Sequence, residues 1–399
     1  MKQQTFLVVL VVLVLAACGG APQTPAGSSA STTAPAETTA ANNAVETSVA
    51  PTEAPATTAA DAATAAATEA PATGGGRATI VPNAAATTDA GSTQTLQEIT
   101  MAMAYIPTVQ FAHFYVADKK GYYAEEGIKV SFDYNFETDV VQRVAQGTGQ
   151  FGLASGDSVL LARAQGLPIV TVATNSQKFP VVFFSKAEQN ITTPEDLKGK
   201  SVGIPGRFGA SYIGLLALLY ANNIQESELN IQEIGFTQAA AVSEDKVQVA
   251  AGYGNNEPIQ LDQQGIDLNI IRVADSFPLA SDGIVTNETI IQNDPDLVRG
   301  FVRATLRGMQ DVIADPDEGF TISLEYVTEL AAADTPTQDL QRKVLTETIT
   351  YWQSDLTEQA GLGAIDQSSW EATATFLRDS KLLRNEVDLS TAFTTDFLP

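Results

Sequence analysis

The chain predicts an α/β protein of two lobes, preceded by a long segment that does not fold. Three observations carry this expectation. From Glu98 onward, short apolar runs alternate with helical stretches, the pattern of a parallel sheet with crossover helices. The pattern occurs twice, over about 98–173 and again over about 181–253. From Gly19 to about Thr95 the chain is Ala, Thr, Pro, Gly and Ser with hardly any large apolar side chain. Such a segment cannot bury enough surface to offset the entropy of ordering it.

The first element is an export signal over 1–17. Lys2 supplies a positive start and Phe6–Leu15 an apolar core, shorter than the roughly 20 residues that span a bilayer. Leu15-Ala16-Ala17-Cys18 resembles a bacterial lipobox, in which the thiol is acylated, with palmitate or a similar chain, after cleavage. An ordinary signal peptide that happens to carry a cysteine is the alternative. Residues 18–95 then read as a lipid-anchored, disordered Ala/Thr/Pro-rich linker. It would hold the folded body off the extracytoplasmic face of the cell membrane.

In the body, Glu98–Tyr105 reads as a strand, Phe114–Lys119 as a helix and Lys129–Tyr134 as a second strand. Val140–Gln146 is a helix, Phe151–Ser155 a strand, Asp157–Gln165 a helix and Pro168–Ala173 a strand. The second set runs Val181–Ser185 (strand), a short helix opened by Thr193-Pro194, Ser201–Ile204 (strand) and Tyr212–Ala221 (helix). Ile231–Gly235, Ala239–Val247 and Val249–Tyr253 continue it as strand, helix and strand. Beyond Pro295 the chain is mostly helical, clearest over Leu297–Ala314 and Leu340–Trp352.

Composition removes several classes of function. Formal net charge is −25, from 47 acidic against 22 basic residues, and no basic stripe is present to meet a phosphate backbone, so no nucleic-acid partner is expected. Cys18 is the sole cysteine and His113 the sole histidine. The body therefore has no disulfide, no thiolate metal site and no cysteine nucleophile. A Ser/His/Asp set or a metal cluster cannot be assembled around one histidine. No cofactor and no catalytic residue is expected.

Gly121-Tyr122-Tyr123-Ala124-Glu125-Glu126-Gly127-Ile128-Lys129-Val130 resembles the GYF-x-x-x-G-(I/L)-x-V element of the solute-binding proteins of ABC importers. The similar group serves sulfonates, thiamine pyrimidines and related vitamins. Phe151–Ser158, Gly166–Val170, Leu197–Ile204 and Val249–Pro258 match further family elements in order. The resemblance implies a type II periplasmic-binding-protein-like fold, two lobes with a ligand cleft and a hinge. Lobe 1 would be discontinuous, 96–185 and 283–399, and lobe 2 would be 186–282.

Ligands of open α/β sheets sit beyond the carboxyl ends of the strands, so the strand-to-helix loops supply the candidates. Tyr105 and Gln110 offer an aromatic face and an amide, and fall where pyrimidine-binding relatives carry an aromatic and an asparagine. Ser155 lies in a small-residue loop opening a helix, where backbone N–H groups are accessible. Arg207 and Ser211, in Gly206–Tyr212, suit carbonyl oxygens or an anion. Tyr253, Asn255 and Glu257 can read the donor and acceptor edge of a heterocycle. Phe179 and Phe277 are further stacking candidates, core packing being equally open to each. Asp157 can be a helix cap or a ligand contact.

The resemblance is greatest to the riboflavin-binding lipoproteins of the group. It implies capture of a flat heteroaromatic vitamin, riboflavin favoured, and delivery to a membrane permease driven by an ATPase subunit. A thiamine-precursor pyrimidine is the alternative and a sulfonate a weaker one. An enzyme similar to the thiamine-pyrimidine synthase would carry a cysteine-rich motif and histidines, which this chain lacks. A surface adhesin, with the stalk as its main feature, would need no cleft.

Overall fold

Residues 95–399 are described in the computed structural model; the export signal, Cys18 and almost all of the linker lie outside them. Two five-stranded sheets organise these residues. The first holds β1 (Gln97–Met103), β2 (Ile128–Tyr134), β3 (Phe151–Ser155), β4 (Ile169–Thr174) and a late strand, β10 (Asp282–Asn287). The second holds β5 (Val181–Lys186), β6 (Ser201–Ile204), β7 (Asn230–Glu233), β8 (Val249–Tyr253) and β9 (Leu268–Arg272). Their orders correspond: β2-β1-β3-β10-β4 and β7-β6-β8-β5-β9.

Neither sheet is purely parallel, contrary to the sequence pattern. β10 runs antiparallel between β3 and β4, and β5 runs antiparallel between β8 and β9. Strand periodicity is the same in either direction, so alternation alone cannot report orientation. β9 and β10 lie in a stretch where the sequence shows no clear strand.

The expected first crossing between lobes, after residue 185, is corrected by the pairing of β5. Val182 faces Gly252 on β8 and Arg272 on β9, which puts Val181–Lys186 in the second sheet. The chain therefore crosses between β4 and β5, and returns between β9 and β10. The C-terminal third is likewise not confined to the first lobe. The helix Gln367–Asp379 places Phe376 5.3 Å from Tyr220, and Asp379 accepts a 2.8 Å hydrogen bond from the Tyr220 hydroxyl, on the helix Gly209–Ala221 of the second lobe. The helix Thr335–Trp352 contacts both Val109–Phe111 and Glu257–Gln263.

Each lobe has an apolar core between sheet and helices. Phe151 on β3 is fully buried and stacks on Phe301 with centroids 4.0 Å apart. Phe301 lies on the amphipathic helix Pro295–Ala314, which buries Leu297, Val298, Val302, Met309 and Val312 along one face. Gly308 lets that helix approach the helix Ala112–Lys119, since a Cβ there would collide with the His113 carbonyl oxygen. No helix among the described residues is long and apolar enough to cross a membrane.

Candidate ligand-binding site

The strand order reverses between β1 and β3 in one sheet and between β6 and β8 in the other. Open α/β sheets bind ligands at such switch points, beyond the carboxyl ends of the strands. There the two lobes face each other across a cleft with about 1310 Å³ of atom-free space, solvent at its mouth included. The loop after β1 contributes Tyr105 and Gln110, the end of β3 Ser155, and the helix start after β6 Ser211. The loop after β8 contributes Tyr253, Asn255 and Glu257. Seven of the eight candidate side chains thus converge on one space. Phe179 lines it too, whereas Phe277 packs away from it on Tyr220 and Phe376.

Arg207 is the correction. Its guanidinium is paired with Glu226 and Glu233, lies 5.6 Å from the Tyr212 ring centroid and does not line the cleft. A guanidinium takes the nearest fixed carboxylates, and these stand on its own lobe, outside the cleft. Ser155 lines the cleft but its hydroxyl is already engaged: Oγ and the backbone N–H both donate to Glu137 Oε1, at 2.6 Å each. That bond brings Glu137 to the cleft wall. Asp157 is fully buried behind it, and neither carboxylate oxygen has a hydrogen-bond partner.

The rim is aromatic. Among the described residues five large apolar side chains are exposed, and Phe136, Phe208 and Phe236 of these stand at the cleft. Phe136 follows β2 in the first lobe and Phe236 follows β7 in the second. Their rings stack across the opening at 5.5 Å and 8°, with Tyr105 6.3 Å from Phe236.

The floor is polar and buried. Asn175, after β4, donates from Nδ2 to Asp282 Oδ2 at 2.7 Å. Thr348, on the helix Thr335–Trp352, donates to the Val344 carbonyl and accepts from Asn255 Nδ2 at 3.0 Å. Both amides are thereby oriented by their acceptors, and both leave Oδ1 without a partner, as is Trp352 Nε1 beside them. Glu257 Oε2 accepts from the Tyr253 backbone N–H at 2.8 Å. Burial raises the Glu257 and Asp282 carboxyls above the usual carboxylate range. Burial, and the carboxylates around it, also raise the Tyr253 phenol. Among the described residues no lysine, arginine or histidine lines the cleft, and no group of three His, Cys, Asp or Glu is placed to hold a metal.

Phe136, Glu137, Asn175, Phe236, Asp282, Thr348 and Trp352 escaped the sequence reading. The first five sit at strand ends, so the rule that found Tyr105 and Gln110 would have found several of them. Thr348 and Trp352 arrive on a helix remote in sequence and carry no local signal.

The model of the NMT1/THI5-like family matches residues 108–319. The chain is 52% identical to the riboflavin-binding protein RibY of Chloroflexus aurantiacus, over 76% of this chain and 87% of that one. It is 27% identical to the formylaminopyrimidine-binding protein of Halalkalibacterium halodurans, over 77% and 93%. The periplasmic aliphatic sulphonate binding protein SsuA of Escherichia coli superposes with a TM-score of 0.59 at 12% identity, over 74% of this chain and 96% of that one. The last comparison concerns the fold alone. By the extent of these matches the chain belongs to the NMT1/THI5-like family, with the two-lobed type II periplasmic-binding-protein fold.

Proposed function

We propose that the protein captures riboflavin outside the cytoplasmic membrane and delivers it to an ABC permease with its ATPase. It acts as a binding protein and not as an enzyme. The observation that carries the ligand class is the lining of the cleft: aromatic rims, amides and carboxylates, with no cation. A flat ring takes the aromatic faces, and hydrogen-bond donors on the ligand take the amide and carboxylate oxygens. Tyr105, Gln110, Ser211, Tyr253, Asn255 and Glu257 are the proposed contacts. A sulfonate finds no counter-charge in this lining. The 52% identity with a riboflavin-binding relative supports a flavin over a thiamine-precursor pyrimidine. Acylation of Cys18 and an extended linker would tether the body to the membrane that carries the permease.

Titrating riboflavin with the purified protein tests the ligand. Flavin fluorescence quenched at micromolar protein or below is the expected result, and an aminopyrimidine competitor should displace it only weakly. Unchanged fluorescence, with a thermal shift produced by the pyrimidine instead, would move the assignment to the thiamine precursor.

A further inference from the structure

The cleft is amphipathic along its depth. Its rim is exposed and aromatic, whereas its floor is buried and dominated by acceptors. Asn175 and Asn255 are 7% and 5% exposed, and their amides donate to Asp282 and Thr348. The carboxylates of Glu137, Glu257 and Asp282 line the same space. Carboxylate oxygens in the wall of a cleft favour a ligand that donates protons to them.

The two ends of a riboflavin molecule differ in the way this floor distinguishes. The ring edge is rich in acceptors, with two carbonyls and bare ring nitrogens against a single imide N–H. Turned inward, it would set acceptor against acceptor. The ribityl tail is a chain of hydroxyls, each able to donate to a carboxylate oxygen while accepting from a hydroxyl such as that of Tyr253 or Ser211.

We infer that the cleft takes its ligand tail-first, with a neutral polyol chain in the acidic floor and the flat ring at the Phe136–Phe236 rim, and that it rejects the 5′-phosphorylated flavin. This rests on the flavin reading above. A phosphate at the end of that chain carries between one and two negative charges at neutral pH. It would lie among three carboxylates and meet no cation in the lining. At effective dielectric constants typical of such sites the repulsion weakens binding on the order of 100-fold.

The test compares riboflavin, flavin mononucleotide and lumiflavin, the same ring with a methyl in place of its tail, by fluorescence titration of the wild-type protein and Asp282→Asn. Riboflavin should bind on the order of 100-fold more tightly than the mononucleotide and at least about 10-fold more tightly than lumiflavin. Asp282→Asn should narrow the gap between riboflavin and the mononucleotide severalfold, because one repelling charge is gone. Riboflavin binding with the mononucleotide or lumiflavin within threefold of it would overturn the orientation while leaving the flavin reading intact. An unchanged gap in Asp282→Asn would remove the floor carboxylates as its cause. No binding of any flavin would overturn the functional reading itself, and the orientation with it.

Discussion

Phe136 and Phe236 stack face to face across the cleft at 5.5 Å, one ring from each lobe. They are 58% and 49% exposed, so little of their area supports either core. Stacking on an aromatic face contributes on the order of 1 kcal/mol beyond area burial. Phe136→Ala and Phe236→Ala should each weaken ligand binding about 5- to 20-fold. The melting temperature of the ligand-free protein should stay within a degree or two of wild type. Titration and thermal melts of both variants check this; a large loss of ligand-free stability would reassign the pair to holding the lobes together.

Arg207 faces Glu226 and Glu233 on its own lobe. These are exposed pairs of small energetic weight. Arg207→Ala should therefore leave ligand affinity within about twofold and stability within about 1 kcal/mol. A loss of tenfold or more in titration would put the guanidinium in the cleft after all.

The contrast between Arg207 and Tyr105 marks how far the sequence could be read. Tyr105 ends a strand whose carboxyl edge must face the ligand cleft in this topology, so strand plus loop was enough to place it. Arg207 lies in an equivalent loop, and its direction was decided by glutamates 19 and 26 positions further on. The existence of β1 to β8 was legible for the same local reason, because alternation is written in adjacent residues, whereas that of β9 and β10 was not. The antiparallel insertion of β5 and β10 was not, since direction depends on where the chain crosses between lobes. Glu137 illustrates a third case. Its approach to the cleft wall depends on a bond to Ser155 N–H and Oγ, a contact across elements that spacing does not encode.

His113 lies fully buried between Phe114, at 4.1 Å, and Trp352, at 4.7 Å, and neither ring nitrogen has a hydrogen-bond partner. Burial pushes its pKa down to about 3 from 6.5. Below pH 6.5 the unfolded chain binds a proton that the folded one refuses, so stability present above 6.5 is lost as pH falls towards 3. His113→Phe keeps a flat ring and removes that proton uptake. Its unfolding free energy should lose less than wild type between pH 6.5 and pH 4, as denaturant titrations at the two pH values would record. Equal losses in both proteins would place the acid sensitivity elsewhere.

Asp157 titrates with the opposite sign. Burial raises its carboxyl to about 7 from 3.8, and the nearby Glu137 charge adds to the rise. Between those two values the folded protein holds a proton that the unfolded chain has released. Stability from this group is therefore full below pH 3.8 and is lost as pH rises through 7. Glu257 and Asp282 are raised too, so they add to the same slope, while His113 opposes it on the acid side. Asp157→Asn removes the ionisation and can donate towards Glu137. At pH 8 the variant should be more stable than wild type, on the order of 1–3 kcal/mol. The gain should shrink as pH falls below 7 and reach zero only near pH 3.8. Because Asp157 does not line the cleft, riboflavin affinity should stay within about threefold. Denaturant unfolding of both proteins at pH 5 and 8 measures the difference directly. A variant less stable at pH 8 than at pH 5 relative to wild type would mean that Asp157 is ionised and supported in the folded protein.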